Sequence, residues 1–273
     1  MAEYKIVASD LDGTLLNSLG EISTENLISI TALAERGVNF VPATGRTISE
    51  IPRVVRDNPA VRYIIHSGGA AVYDKETGER LSFCIDNALA RRVFAAILKY
   101  ECHISVRMGG KIWSGAEMKT PERYEYYQVW PVHRELLDDL GESIPDIKSR
   151  VFDMDAIEMI SLFFHNDDDI ELLSAELREI GSLNLASACV HNLEITFSDA
   201  GKGNALVALA SKLSVPISDI IAVGDSGNDA SMVAAAGLGL AVSNSGNELK
   251  QISDEVICSN DEHVIKYILE KYF

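Results

Sequence analysis

The stretch Ile6-Val-Ala-Ser-Asp10-Leu-Asp12-Gly13-Thr14 decides how the rest of this sequence is interpreted. The apolar, β-branched run before Asp10 is typical of a strand that is buried on both faces. It ends in two aspartates separated by one residue, with a glycine directly after them. Two crowded carboxylates repel each other, and removing them from water raises the free energy of their charged forms further. An isolated pattern of this kind fits a solvated turn as well as a functional site, so other segments must decide.

Composition and charge limit the classes of protein that fit. The chain has 273 residues and is 47% hydrophobic, which is enough for one large domain or two smaller ones with a substantial core. Its 41 acidic and 24 basic residues give a formal net charge of -17. Because binding to phosphate backbones requires clustered Lys and Arg, this excess argues against nucleic acid and anionic membranes as partners.

Targeting and cysteine signals indicate a cytoplasmic protein. The N-terminus lacks a basic segment followed by an apolar one, so we expect no signal peptide. The longest nearly apolar run, MVAAAGLGLAV, is too short to span a bilayer. The four cysteines are scattered without a C-x-x-C pair, which argues against a zinc site or a disulfide framework and favours free thiols.

Strands and helices alternate in the first and last parts of the chain. Ser23 can cap a helix that ends near Gly37, and the segments VNFVPAT and YIIHS are typical of buried strands. A helix over ISEIPRVVRDN is predicted between those strands. The last part repeats the alternation with helix GNALVALASKLS, strand DIIAVGD, helix DASMVAAAG, strands GLAVS and EVICS, and helix EHVIKYILEKYF. This order predicts an α/β fold with a Rossmann-like parallel sheet and right-handed crossovers.

The middle of the chain has a different pattern. Hairpins are predicted to turn at residues 75–78 and at Gly109-Gly110. The other predicted elements are helices DNALARRVFAAILKY, TPERYEYYQVW and NDDDIELLSAELREIG and strands IEMISLFF and HNLEITF. Hairpins mixed with helices predict an α+β domain at residues 84–196, inserted into an α/β domain formed by residues 1–83 and 197–273.

Polar residues cluster at the predicted strand ends. Ligands of open parallel sheets bind beyond the carboxyl ends of the strands. The candidates there are Asp10 and Asp12 after the first strand, Thr44, Gly45 and Arg46 after the second, Asp225, Asn228 and Asp229 after DIIAVGD, and Lys202 between two glycines. Four acids, one lysine and one threonine are thus expected at one rim. The segments that begin at Asp10 and at Asp225 are not EF-hand loops. Such a loop needs glycine at its sixth position and glutamate at its twelfth, and the first segment lacks the glycine while the second lacks both.

Taken in order, these motifs resemble the haloacid dehalogenase superfamily. D-x-D-G-T, a threonine ending the next strand, a lysine and then G-D-x-x-N-D span essentially the whole chain. The large insert between Thr44 and Lys202, with ATGR and GDSGND as written, resembles the Cof-type branch with a type IIB α/β cap. That branch consists mostly of phosphatases of small phosphorylated metabolites. The resemblance therefore implies a phosphatase for a sugar phosphate or a similar small metabolite.

The resemblance also implies roles for individual residues. Asp10 is the nucleophile that forms an aspartyl-phosphate, and Asp12 is the general acid and then the general base. Mg²⁺ is held by Asp10, the backbone carbonyl of Asp12, and Asp225. Phosphate or substrate binding is implied for Thr44, Gly45, Arg46, Lys202 and Asn228, and a supporting role for Gly13 and Asp229. The chemistry requires such a set, because an anionic nucleophile approaches an anionic phosphate only where cations flank both.

One position departs from the pattern of the branch, and two other functions fit the same residues. The branch commonly has Asn-Gly after the third strand, whereas this chain has Ser67-Gly68-Gly69-Ala70, so no role is carried over to Gly68. A phosphomutase of the same superfamily would use the same acids. A non-catalytic protein that senses metal or phosphate would use the acidic rim but would not need Asp12. The cap aromatic residues Trp113, Tyr124, Tyr126, Tyr127 and Trp130 fit either the core or a substrate contact. The sequence carries no signal for the oligomeric state.

Overall fold

The computed structural model describes residues 4–187 and 189–273, and backbone contacts divide them into two compact units. The first unit contains the chain up to Gly45, Ile51–Leu81 and Gly201–Phe273. The second unit contains Arg46–Glu50 and Ser82–Ala200. The segment Arg46–Glu50, which the sequence placed in the α/β domain, therefore packs with the second unit.

The N-terminal part of the first unit begins with the predicted strand and helix. Its elements are β1 (Ile6–Ser9), α1 (Thr24–Glu35), β2 (Asn39–Pro42), α2 (Arg53–Arg56), β3 (Tyr63–His66), β4 (Ala71–Asp74) and β5 (Arg80–Ser82). The Ser23 Oγ accepts a hydrogen bond from the Asn26 N–H at 3.2 Å, so Ser23 caps α1 as predicted. Gly37 follows the helix with a φ of 76°, a conformation that glycine adopts at low cost.

The helix predicted over ISEIPRVVRDN is wrong in extent. Only the single turn of α2 is α-helical, and it begins directly after Pro52. Proline has no backbone N–H and disfavours the α conformation of the residue before it, so Pro52 interrupts the helix that the apolar spacing suggested.

The second unit is a six-stranded sheet with helices. Its elements are α3 (Asn87–Ile97), β6 (Cys102–Met108), β7 (Lys111–Gly115), α4 (Pro121–Tyr126), α5 (Pro131–Leu140), β8 (Gly141–Ile144), α6 (Ile147–Arg150), β9 (Ile157–Phe164), α7 (Asp168–Ile180), β10 (Leu183–Ala186) and β11 (Asn192–Phe197). The strand order is β10-β11-β9-β6-β7-β8, antiparallel except for the β7–β8 pair. Elements α5, α6, β8 and β10 were not predicted.

The aromatic residues of the second unit divide between its core and its surface. Tyr124 and Tyr127 are buried in one apolar cluster with Phe163. Tyr126 and Trp130 are exposed. The Trp113 indole donates a hydrogen bond to the Met108 carbonyl at 3.0 Å. Core packing therefore accounts for Tyr124 and Tyr127, as aromatic residues at helical spacing usually require.

The C-terminal part of the first unit completes a parallel sheet. Its elements are α8 (Lys202–Leu213), β12 (Ile220–Gly224), α9 (Ala230–Ala235), β13 (Leu238–Val242), α10 (Asn247–Ile252), β14 (Glu255–Ile257) and α11 (Val264–Tyr272). The strand order is β14-β13-β12-β1-β2, and all four neighbouring pairs are parallel. The predicted α/β fold with a parallel sheet is confirmed.

Strand β1 marks the point where the strand order reverses. The chain passes from β1 to β2 on one side and later returns to β12 on the other side. Ser9 of β1 is level with Pro42 of β2 and with Val223 of β12. At such a point the crossovers diverge and open a crevice beyond the carboxyl ends of the strands. The residues that follow these three strands therefore lie at one rim.

A membrane-spanning segment is absent from the described residues, because none of their helices is both long and apolar enough to cross a bilayer.

The turn between β3 and β4 packs tightly against the start of α8. Ser67, Gly68 and Gly69 have successive φ values of 51°, 68° and 90°. A Cβ atom on Gly69 would lie 2.2 Å from the carbonyl carbon of Gly201, far inside contact distance. Gly69 therefore allows the backbone of the turn to reach the residue that precedes α8.

We expect Gly69→Ala to destabilise the fold more than Gly37→Ala does. Gly37 has a similar positive φ of 76°, but nothing lies within 4 Å of a Cβ there. The control measures the backbone strain alone, about 1 kcal/mol. Gly69→Ala adds steric overlap and should cost about 2–4 kcal/mol in the free energy of unfolding. Urea unfolding of both variants tests this, and equal losses would contradict the packing role of Gly69.

Candidate active site

The Lys202 ammonium group joins two buried carboxylates in the first unit. Its Nζ atom donates hydrogen bonds to Asp10 Oδ1 and to Asp229 Oδ1, each at 2.6 Å. The exposed fractions of Lys202, Asp10 and Asp229 are 1%, 4% and 0%. Asp10 follows β1, Lys202 begins α8, and Asp229 precedes α9. Three separate elements therefore meet through one buried charged group.

Asp229 also fixes the backbone at the end of β12. Its Oδ2 accepts hydrogen bonds from the backbone N–H groups of Asp225 at 3.0 Å and Ser226 at 3.1 Å. A Cβ on Gly224 would lie 2.4 Å from the Asp229 Cβ, so glycine is required for this approach. Both carboxylate oxygens of Asp229 are thus engaged with protein donors.

The site has an excess of negative charge. Carboxylate oxygens of Asp10, Asp225 and Asp229 all lie within 4.8 Å of one another. Lys202 supplies a single positive charge against these three acids. The Asp225 Oδ1 is buried and has no protein hydrogen-bond partner. A hard divalent cation fits this set, because it prefers carboxylate oxygens and would offset both the charge and the unpartnered oxygen.

Burial and charge shift the pKa values of the cluster. Burial raises the pKa of Asp10 to about 7, although the neighbouring Lys202 opposes that rise. Burial, and then the charge of Asp229, also raise the pKa of Asp225. Burial alone would lower the pKa of Lys202, but its ion pairs with Asp10 and Asp229 outweigh that cost and raise it. The carboxylates are therefore crowded enough to need a further cation.

The loop after Asp10 depends on Gly13. Its φ is 75°, and a Cβ atom there would lie 2.6 Å from Asp225 Oδ2. The Gly13 carbonyl accepts a hydrogen bond from the Asn244 side chain at 2.8 Å. Asp12, which precedes Gly13, is exposed. Asn244 was not predicted, although it lies two residues beyond β13 and the search of strand ends could have included it.

Comparison with known proteins identifies the family. A family model described as haloacid dehalogenase-like hydrolase matches residues 7–269. The chain belongs to this family. It is 28% identical over 284 residues to phosphatase YwpJ of Bacillus subtilis, covering 97% of this chain and 99% of that protein. It is 27% identical to the 5-amino-6-(5-phospho-D-ribitylamino)uracil phosphatase YwtE of the same organism, with 98% and 97% covered.

A solved structure supports the same assignment. The crystal structure of TM0651 from Thermotoga maritima matches with a TM-score of 0.84 at 26% identity, covering 99% of this chain and 98% of that one. The resemblance that the sequence motifs suggested is therefore confirmed, and this chain is a haloacid dehalogenase-like hydrolase.

Not every residue predicted for the site of this hydrolase joins the cluster. Thr44 is buried two residues beyond the end of β2, next to Gly45, and the Thr44 carbonyl accepts a hydrogen bond from the Gly68 N–H at 3.0 Å. Asn228 is exposed, and its Oδ1 accepts a hydrogen bond from the Ser226 hydroxyl at 2.9 Å. Arg46 belongs to the second unit, where its guanidinium donates to the Glu50 carbonyl at 3.0 Å.

We expect Lys202→Met to destabilise the metal-free protein strongly. The substitution leaves the buried carboxylates of Asp10 and Asp229 without their cation, a loss of about 3–5 kcal/mol at pH 7. The deficit should shrink toward pH 5, because burial raises the pKa of Asp10 and lets that carboxylate become neutral as the pH falls. Urea unfolding at both pH values measures this effect.

The matched control is Lys212→Met on the same helix. Lys212 pairs with Glu79 at 2.8 Å on the surface. Exposed pairs contribute little to stability, so this variant should unfold nearly as the wild type does. Equal losses for the two lysine variants would contradict the importance of the buried pair.

Proposed function

We propose that this protein is a Mg²⁺-dependent phosphatase that hydrolyses a small phosphomonoester through an aspartyl-phosphate on Asp10. The observation that carries the proposal is the burial of Lys202 between Asp10 and Asp229, beside the unpartnered oxygen of Asp225. Membership in the hydrolase family supports it, and so do relatives that are named phosphatases.

Asp10 is the nucleophile in this proposal. Phosphoryl transfer depends mainly on positioning and on charge stabilisation. Lys202 holds one oxygen of the Asp10 carboxylate and places a positive charge beside it. The carboxylate attacks phosphorus, and the bond between phosphorus and the leaving oxygen breaks. Asp229, which holds Lys202 from its other side, is a positioning residue.

Asp12 is the general acid and then the general base in this proposal. It lies two residues from Asp10, is exposed, and precedes the glycine whose carbonyl Asn244 holds. Its carboxyl group donates a proton to the leaving oxygen in the first step. In the second step the carboxylate takes a proton from the water that attacks phosphorus, which frees Asp10 and releases inorganic phosphate.

Magnesium fits the same cluster. Asp229 already uses both of its oxygens, which leaves Asp10 and Asp225 of this cluster to hold the ion. The resemblance to the haloacid dehalogenase superfamily adds the backbone carbonyl of Asp12 as a further ligand. When bound, Mg²⁺ supplies positive charge that offsets the charge on the phosphoryl oxygens. The absence of His and Cys from this cluster favours Mg²⁺ over zinc.

The remaining assignments concern the substrate. Thr44, buried beyond the neighbouring strand, is assigned to the phosphoryl oxygens together with Lys202. Gly45, Arg46 and Asn228 stay predictions for phosphate or substrate binding. The net charge of -17 disfavours nucleic acid and membranes and leaves small phosphorylated metabolites as the substrate class. The relative YwtE is named for one such molecule.

We expect Asp10→Asn and Asp12→Asn to fail in different ways. Asp10→Asn removes the attacking anion, so turnover of every phosphomonoester should nearly vanish. Asp12→Asn should slow an alkyl phosphate by about 10²–10⁴-fold but slow p-nitrophenyl phosphate less in the first step, because that leaving group needs no proton. Single-turnover kinetics with both substrates measure the difference.

Hydroxylamine trapping and a matched variant complete this experiment. Hydroxylamine should convert an aspartyl-phosphate on Asp10 to a hydroxamate that mass spectrometry detects. Asp57→Asn changes an exposed aspartate paired with Arg56 and should leave turnover unchanged. Full activity of Asp10→Asn would exclude the covalent mechanism. Movement of the phosphate to another position of the same metabolite, without release of inorganic phosphate, would indicate a phosphomutase, and no reaction at all would indicate a binding protein.

We expect metal removal to abolish activity and Mg²⁺ to restore it. Ca²⁺ should inhibit, because its larger and looser ligand shell misplaces the nucleophile. Binding to the folded state should also raise the melting temperature of the wild type when Mg²⁺ is added. Asp225→Asn should weaken that thermal shift and raise the Mg²⁺ concentration required for turnover. Full activity in chelator-treated, metal-free buffer would contradict the metal assignment.

A further inference from the structure

The turn Ser67–Gly69 lies next to two residues of the proposed phosphate site. The Gly68 N–H donates to the Thr44 carbonyl at 3.0 Å. Gly69 touches the backbone of Gly201 and Lys202, since a Cβ there would lie 2.5 Å from the Lys202 nitrogen. The turn is therefore fixed between Thr44, two residues beyond the end of β2, and the first residue of α8.

The fold requires glycine at position 69 but not at position 68. Gly69 has a φ of 90° and no room for a side chain. Gly68 has a φ of 68° and a ψ of 18°, which asparagine and aspartate also tolerate. No atom lies within 4 Å of a Cβ built on Gly68. Gly68 is also partly exposed, whereas its neighbours Ser67 and Gly69 are buried.

We propose that Gly68 is a specificity-determining position that leaves room for substrate atoms close to the phosphate. The inference rests on the proposed function, because Thr44 and Lys202 locate the phosphoryl group. A phosphate on a secondary carbon has a second carbon substituent beside the ester oxygen, and that substituent needs space which a primary ester does not. The open position at Gly68 therefore admits phosphomonoesters of branched, secondary alcohols as well as primary ones.

The test compares two isomers that differ only in this branching. Glycerol 1-phosphate carries its phosphate on a primary carbon, and glycerol 2-phosphate carries it on a secondary carbon. The wild type should hydrolyse both. Gly68→Asn should lower kcat/KM for the 2-phosphate by about tenfold or more and change the 1-phosphate by about twofold at most, as expected when a pocket loses space for one group. Inhibition by inorganic phosphate should stay unchanged.

Two further variants keep the test independent of folding. Gly37→Asn adds the same side chain at a φ of 76°, in open space before the amino end of β2, and should leave both reactions unchanged. Gly68→Ala adds only a Cβ. It should lower the ratio of kcat/KM for the 2-phosphate to kcat/KM for the 1-phosphate by a smaller factor than Gly68→Asn does. It replaces Gly68→Asn if thermal unfolding shows that the larger substitution does not fold.

The outcomes separate the inference from the proposed function. Selective loss of the 2-phosphate reaction supports the role of Gly68. Equal losses of both reactions, no loss in either, or a wild type that hydrolyses the primary isomer alone would overturn that role while leaving the phosphatase intact. A wild type that hydrolyses no phosphomonoester at all would overturn the proposed function itself.

Discussion

The buried Lys202 ammonium group, hydrogen-bonded to Asp10 and Asp229, is the interaction on which the site depends. A lone buried charge is strongly destabilising, so each member of this group needs the others. The members come from the end of β1, the start of α8 and the turn before α9. Asp10 and Lys202 are 192 positions apart in sequence, and only the parallel sheet brings their elements together. The site can therefore form only when the first unit is folded.

Glycine allows these charged groups to lie as close as they do. Side chains at Gly13 and Gly224 would overlap the carboxylates of Asp225 and Asp229, and one at Gly203 would overlap the backbone of Ser231. The charge imbalance remains after this close packing, because one lysine faces three acids. The excess negative charge destabilises the metal-free protein. The same excess favours the binding of a cation, which can then act on a phosphate. One arrangement thus links stability, metal affinity and chemistry.

Local signals in the sequence predicted most of the parallel sheet and the residues at its rim. Buried strands are short apolar runs, and the residues after them can be located without knowing the fold. Two local signals were misread, because Pro52 ended a helix that apolar spacing suggested and α5 was missed although its apolar residues have helical spacing. Other features depend on contacts distant in sequence. The resemblance implied that Asp229 supports Lys202, but its second contact, with the backbone at the end of β12, was not predicted because no spacing shows it. Asn244 was missed because its partner is a backbone carbonyl 231 positions away.

The chain leaves and re-enters the first unit next to two residues of the candidate site. It leaves directly after Gly45, one residue beyond Thr44, and re-enters for the last time at Gly201, one residue before Lys202. Thr44 is nevertheless held by the first unit, because its N–H donates to the Ile65 carbonyl and its carbonyl accepts from Gly68. Lys202 is held by two carboxylates of the same unit. These four contacts join residues of the first unit to one another, so they do not depend on the sequence of the second unit.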